Sequence, residues 1–96
     1  MIFYLKFRVD LDDPQSGEFN GNAGGASTPG GGALFGDVYT DDLERLKEQT
    51  SRFEFNAASA YTSLLFFDDN SELLGHYEAG GLSTVAGIGG GEGSWS

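Results

Sequence analysis

The segment AYTSLLFFDDNSELLGHYEA, Ala60–Ala79, reads as two strands joined by a turn. Ala60–Phe67 is rich in aromatic and branched residues and apolar on both faces, as a central strand is. Asp68-Asp69-Asn70-Ser71 is turn chemistry. Glu72–Ala79 then alternates, with Leu73, Gly75 and Tyr77 on one face and Leu74, His76 and Glu78 on the other. Two such runs around a polar turn predict an antiparallel hairpin.

Upstream of the hairpin, Thr40–Phe53 carries the helical signals. Asp41 stands at the cap position with Glu44 three residues on, and acidic residues crowd the first turn, where the macrodipole favours them. Leu43, Leu46, Thr50 and Phe53 form a narrow apolar stripe, and Glu44 and Glu48 can pair with Lys47 and Arg52. Phe53-Glu54-Phe55 suits either a helix end or a strand start, and Asn56–Ser59 reads as a connector. Ala33–Tyr39 has some strand character. Ile2–Leu11 alternates cleanly, with Phe3, Leu5, Phe7, Val9 and Leu11 on one face, until Asp12-Asp13-Pro14 stops it.

Sixteen glycines shape the remainder. Residues 15–32 read as a long glycine-rich loop. Gly80-Gly81 reads as a turn, Leu82–Ile88 as a last strand, and residues 87–96 as a glycine-rich tail ending at Trp95. The expected fold is therefore one α+β domain spanning residues 1–96. It has a small, mainly antiparallel sheet of four to five strands, with one helix on one face and long glycine-rich loops. Its core is expected on Phe3, Leu5, Phe7, Val9, Leu65, Phe67, Leu73 and Tyr77, with Leu43 and Leu46 packing from the helix.

Charge narrows the functional classes. Fifteen Asp and Glu face five Lys and Arg, a formal net charge of −10. Such a field repels polyanions and attracts cationic surfaces. Aromatic content of 14% is too high for a disordered acidic tail. The chain has no cysteine, which rules out disulfides and thiolate metal ligands. The apolar run Ile2–Leu5 is too short for a leader core and no run approaches a membrane span, so cytoplasmic residence is expected.

No motif points to catalysis. His76 is the sole histidine, and its nearest candidate nucleophiles, Ser63 and Thr62, belong to the neighbouring strand. The carboxylates around Asp10 and around Asp68 lack the spacing of a calcium loop, and no phosphate-cradling motif accompanies the glycines. We therefore expect no catalytic residue, no metal and no cofactor.

The preferred function is a small acidic, non-enzymatic binding protein that occludes a basic partner, in the manner of immunity proteins, antitoxins or inhibitors that mimic nucleic acid. Asp37, Asp41, Glu44 and Glu48 are its candidate contact carboxylates, and Trp95 its candidate anchor. Two alternatives stand beside it. One is a dimeric α+β domain that binds a ligand or catalyses a reaction. The other is a stand-alone protein whose acidity is a saline adaptation. Neither direct nucleic-acid binding nor membrane binding is expected, because the five cations are outnumbered and have acidic neighbours. Pure protein should accordingly give no gel shift with DNA or RNA at physiological salt, and a clear shift would overturn this charge argument.

Overall fold

Large rings packed against glycine organise this chain. The computed structural model describes residues 2–12, 16–27, 35–58, 60–80 and 87–96. They contain the strands β1 (Ile2–Asp10), β2 (Glu18–Ser27) and β3 (Phe35–Tyr39), the helix α1 (Leu43–Gln49), and the strands β4 (Arg52–Ala58), β5 (Tyr61–Phe67), β6 (Leu73–Gly80) and β7 (Gly87–Trp95). All seven strands form one antiparallel sheet in the order β1-β2-β7-β4-β5-β6-β3.

The sheet curls into a half-barrel, and ring contacts reveal the curl. Phe19 on β2 and Phe66 on β5 lie three strand spacings apart, ~14 Å on a flat sheet. Their ring centroids are 4.9 Å apart. Phe7 on β1 and Phe55 on β4 are equally separated in strand order, yet approach to 5.0 Å. Both contacts require the sheet to bend around its inner face. Phe19, Phe53, Phe66, Leu46 and Leu64 fill that concavity and are fully buried.

Glycine makes room for the rings. A Cβ added at Gly21 would lie 2.5 Å from the Phe53 ring and 2.9 Å from the Phe19 ring; one at Gly93 would lie 2.5 Å from Phe19. Gly21 and Gly93 face each other in register between β2 and β7. The inner surface of these two strands is therefore a shallow floor on which phenylalanines lie.

Antiparallel pairing places the connections α1, β5–β6 and β1–β2 at the same end of the sheet. The helix spans the opening there, touching β6 and β7, which are separated in the sheet by β4 and β5. Its buried Leu46 reaches Gly75, where an added Cβ would meet Leu46 at 3.2 Å and the Tyr39 carbonyl at 2.7 Å.

These findings correct the expected α+β fold: the protein is mainly β, with seven strands among the described residues rather than four to five. The single helix stands, but it ends at Gln49 and closes an end of the sheet instead of covering a face. Phe53 belongs to β4, where Phe53, Phe55 and Ala57 point inward. The expected loop at 15–32 contains strand β2, and the expected tail at 87–96 is strand β7, paired on both sides. Asp13, Pro14, Ala33, Leu34 and residues 82–86 of the expected last strand lie outside the described residues, as do the side chains of Phe3 and Leu5.

The hairpin β5–β6 is as expected and Tyr77 packs on the core as expected, but on β5 the inner face is the opposite one. Leu64, Phe66 and Leu74 are buried, while Leu65 and Leu73 are exposed and Phe67 is half-buried. A register shift at Phe66/Phe67 inserts an extra β6 residue and turns Leu74 into the core. Leu64→Ala should therefore cost ~2–5 kcal/mol in denaturant unfolding, and Leu65→Ala less than about 1 kcal/mol. Gly21→Val should cost at least ~1–3 kcal/mol through overpacking.

Candidate functional site

The end of the sheet closed by α1 is also its acidic end. The helix and the residues leading into it contribute Asp41, Asp42, Glu44 and Glu48. The β5–β6 turn contributes Asp68, Asp69 and Glu72, and the ends of β1 and β2 contribute Asp10, Asp12 and Glu18. Chain topology alone gathers ten of the fifteen carboxylates there.

Local hydrogen bonds fix this end. Asp42 caps α1, its Oδ1 accepting the Arg45 N–H at 3.1 Å. The sequence places the cap one residue earlier, at Asp41, which is exposed instead. The Thr40 hydroxyl donates to the Leu74 carbonyl at 2.7 Å and ties the helix entry to β6. At the other end the Thr50 hydroxyl donates to the Leu46 carbonyl at 2.6 Å. Asp68, buried, accepts the N–H groups of Asn70 at 2.8 Å and Glu72 at 2.9 Å, closing a turn in which Ser71 takes φ +62°.

Two cations at this end, Arg45 and Arg8, are engaged locally. Arg45 lies 3.0 Å from Glu72 and 3.7 Å from Asp68, and its Nε donates to Gln49 at 3.2 Å. Arg8 pairs with Asp10 at 3.2 Å and Glu18 at 3.3 Å. The Lys47 stem packs beside Gly17. Arg52, expected on the helix, sits on β4 in register with Glu92. Glu44 and Glu48 therefore do not make the helical pairs their spacing suggests. Among the described residues Asp41, Glu44 and Glu48 are exposed and form no ion pair. Glu44 and Glu48, one turn apart, present their charges along the same side of α1.

The other candidate residues separate from this group. Asp37 lies on β3, exposed and in register with Glu78, on the outer surface of the sheet. Trp95 is a core residue, 8% exposed, packed on Phe19 at 5.5 Å and Phe66 at 5.4 Å. The anchoring role expected of it is thereby corrected: pairing of β7 along both edges supplies the backbone hydrogen bonds that order the glycines and carry Trp95 inward.

Sequence reading missed a cluster on the outer face. His76 stacks on Tyr39 at 5.1 Å with its Nδ1 3.6 Å from Glu78, and the Tyr61 hydroxyl donates to the same carboxylate. That hydrogen bond, to a group already negative, pushes the Tyr61 phenol above its usual range. The alternation of β6 and β5 placed these residues on a common face once the register was known. Thr62 is buried on the opposite face and Ser63 stands opposite Glu78, so neither hydroxyl is oriented by His76. Among the described residues no three of His, Cys, Asp and Glu are grouped to hold a metal ion, and no helix is long and apolar enough to cross a membrane.

The chain is similar to known proteins along its whole length. Residues 1–96 match the family model of the Rhodococcus equi virulence-associated protein. Among solved structures, the virulence-associated protein VapB from the intracellular pathogen Rhodococcus equi is 45% identical, with a TM-score of 0.86 over 97% of this chain and 84% of that one. VapD from the same organism is 41% identical, with a TM-score of 0.87 over 97% and 85% of the two chains. No curated protein matches the chain.

The placement of Trp95 is directly measurable. In dilute monomer its fluorescence should be blue-shifted and the amides of Gly89–Gly93 protected from exchange. Trp95→Ala should cost ~3–5 kcal/mol. A red-shifted indole with unprotected amides would return Trp95 to the surface.

Proposed function

The chain belongs to the family of Rhodococcus equi virulence-associated proteins, and within it we propose that this member is a non-enzymatic binding protein that occludes a basic partner. The observation that supports the reading is the acidic end. Its carboxylates outnumber its cations, Arg8 and Arg45 are spent on internal bonds, and Asp41, Glu44 and Glu48 face solvent unpaired.

The mechanism is electrostatic and steric. A field concentrated at one end orients an approaching cationic surface before contact and raises its association rate. The helix is a rigid mount for the contact charges, since Leu46 is buried beneath it and Arg45 staples it to the β5–β6 turn. The width of the half-barrel then blocks whatever the cationic surface would otherwise bind.

Poly-L-lysine is a suitable probe. Binding should weaken as salt rises, because the Debye length is ~8 Å at physiological ionic strength. Exposed contacts contribute ~0.2–1 kcal/mol each, so neutralising Asp41, Glu44 and Glu48 together should lower affinity roughly 3- to 160-fold. Neutralising Glu54 and Glu92 on the outer face should change it little. Equal loss from both sets would overturn the placement of the contact surface, and binding indifferent to salt would overturn the charge mechanism.

A further inference from the structure

Where β3 runs into α1, the surface holds a hollow of about 490 Å³. Tyr39, Thr40 and Asp41 line one side of it, and Leu73 and His76 the other. It lies between two hydrogen-bonded strands, β3 and β6, at the entry to the helix. Gly75 permits the close approach of the two sides. A Cβ there would lie 2.7 Å from the Tyr39 carbonyl and 3.0 Å from the Thr40 Cβ. The Thr40 hydroxyl then fixes the side that carries Asp41. It donates to the Leu74 carbonyl at 2.7 Å and accepts the Asp42 N–H at 3.3 Å. Internal bonds thus shape the hollow in advance, which lowers the ordering cost of anything that enters it.

Its chemistry suits an organic cation. His76 stacks on one face of the Tyr39 ring, with the planes 21° apart, and is itself held near Glu78, its Nδ1 at 3.6 Å. Tyr39 is nevertheless 50% exposed, which leaves its second ring face to solvent, and Leu73 across the hollow is 52% exposed. Asp41 is exposed and forms no ion pair among the described residues. Two local contacts leave it so: Asp42 caps α1 in its stead, and Arg45 is bonded to Glu72 and Asp68. An open aromatic face, an apolar wall and an unpaired carboxylate are the surfaces that a long cationic side chain uses. Its head stacks on the ring while its stem packs on the apolar wall.

We propose that this hollow takes up an arginine side chain of the basic partner. The guanidinium lies on the open face of Tyr39 and directs two N–H groups at Asp41, and the stem packs on Leu73. This rests on the basic-partner reading above and names the residue type that the partner inserts. Arginine fits better than lysine. Its planar fork stacks on a ring and matches a carboxylate with two parallel hydrogen bonds, whereas the ammonium of lysine is a compact, strongly hydrated charge. Glu44 and Glu48 on α1 attract either cation without such a preference. A second copy of this chain is a poor donor, because Arg8 and Arg45 are bonded internally and each copy carries a net charge of −10.

The test is a titration of the full chain with hexa-arginine and with hexa-lysine, followed by calorimetry and NMR. Hexa-arginine should bind roughly 2- to 5-fold more tightly, the size of one exposed cation–π contact. Its shifts should include the Tyr39 ring and the amides of Asp41 and Leu73. Tyr39→Leu should remove the arginine excess, and Tyr39→Phe, which keeps the ring, should retain it. Asp41→Asn should lower arginine binding more than lysine binding, whereas neutralising Glu44 and Glu48 should weaken both peptides alike. Equal affinity for the two peptides, an arginine excess that survives Tyr39→Leu, or shifts confined to α1 would overturn the proposal. If hexa-lysine binds and weakens when Glu44 and Glu48 are neutralised, but arginine shows no excess, the hollow falls and the charge reading stands. If neither peptide binds, both fall.

Discussion

Phenylalanine rings lying on a glycine floor are the contact on which the rest of the structure depends. Phe53 and Phe19 occupy the space that Cβ atoms at Gly21 and Gly93 would need. Because that space is free, the inner face of β2 and β7 can approach the rings closely, and the sheet can bend until residues three strands apart touch. Glycine strands are poor on propensity and lose much backbone entropy on ordering. Here each is paired along both edges, β2 between β1 and β7, and β7 between β2 and β4. Hydrogen bonding together with ring burial overrides the propensity.

The same packing determines where charge accumulates. An antiparallel sheet returns its connections alternately to two ends, and the acidic connections of this chain fall at one. Helix α1 closes that end through Leu46 and displays Glu44 and Glu48, with Asp41 exposed just before its cap. Arg45 contributes by consuming its charge internally, on Glu72 and Asp68, so that it fastens the helix without masking the exposed carboxylates. Packing side chains and solvent-facing carboxylates are thus neighbours on a seven-residue helix.

The outer surface carries a different chemistry. Tyr39, His76, Glu78 and Tyr61 form a ladder over β3, β6 and β5, with Leu65 and Leu73 exposed beside it. Strands that are apolar on both faces are usually covered on both. In β5 the inner residues Leu64 and Phe66 are covered by the chain itself, while the outer ones remain available to other molecules.

Several features were legible in the sequence alone. They are the strand at Ile2–Leu11, the hairpin at Ala60–Ala79 with its Asp68 turn, the helix around Leu43 and Leu46, and the negative charge. Each rests on local patterns of period, turn chemistry or composition that neighbouring residues suffice to express. The alternation of Phe53, Phe55 and Ala57 in β4 was also present, but a helical stripe ending at Phe53 competed with it. Tertiary structure alone decided the rest. It made strands of the glycine segments, because their pairing partners lie far away in sequence. It selected Leu64 and Phe66 over Leu65 and Phe67 as core, because a strand apolar on both faces has no intrinsic inside. It buried Trp95, because β7 needed two neighbouring strands to order its glycines. And it separated Asp37 from Asp41, Glu44 and Glu48, because the chain leaves the sheet between them.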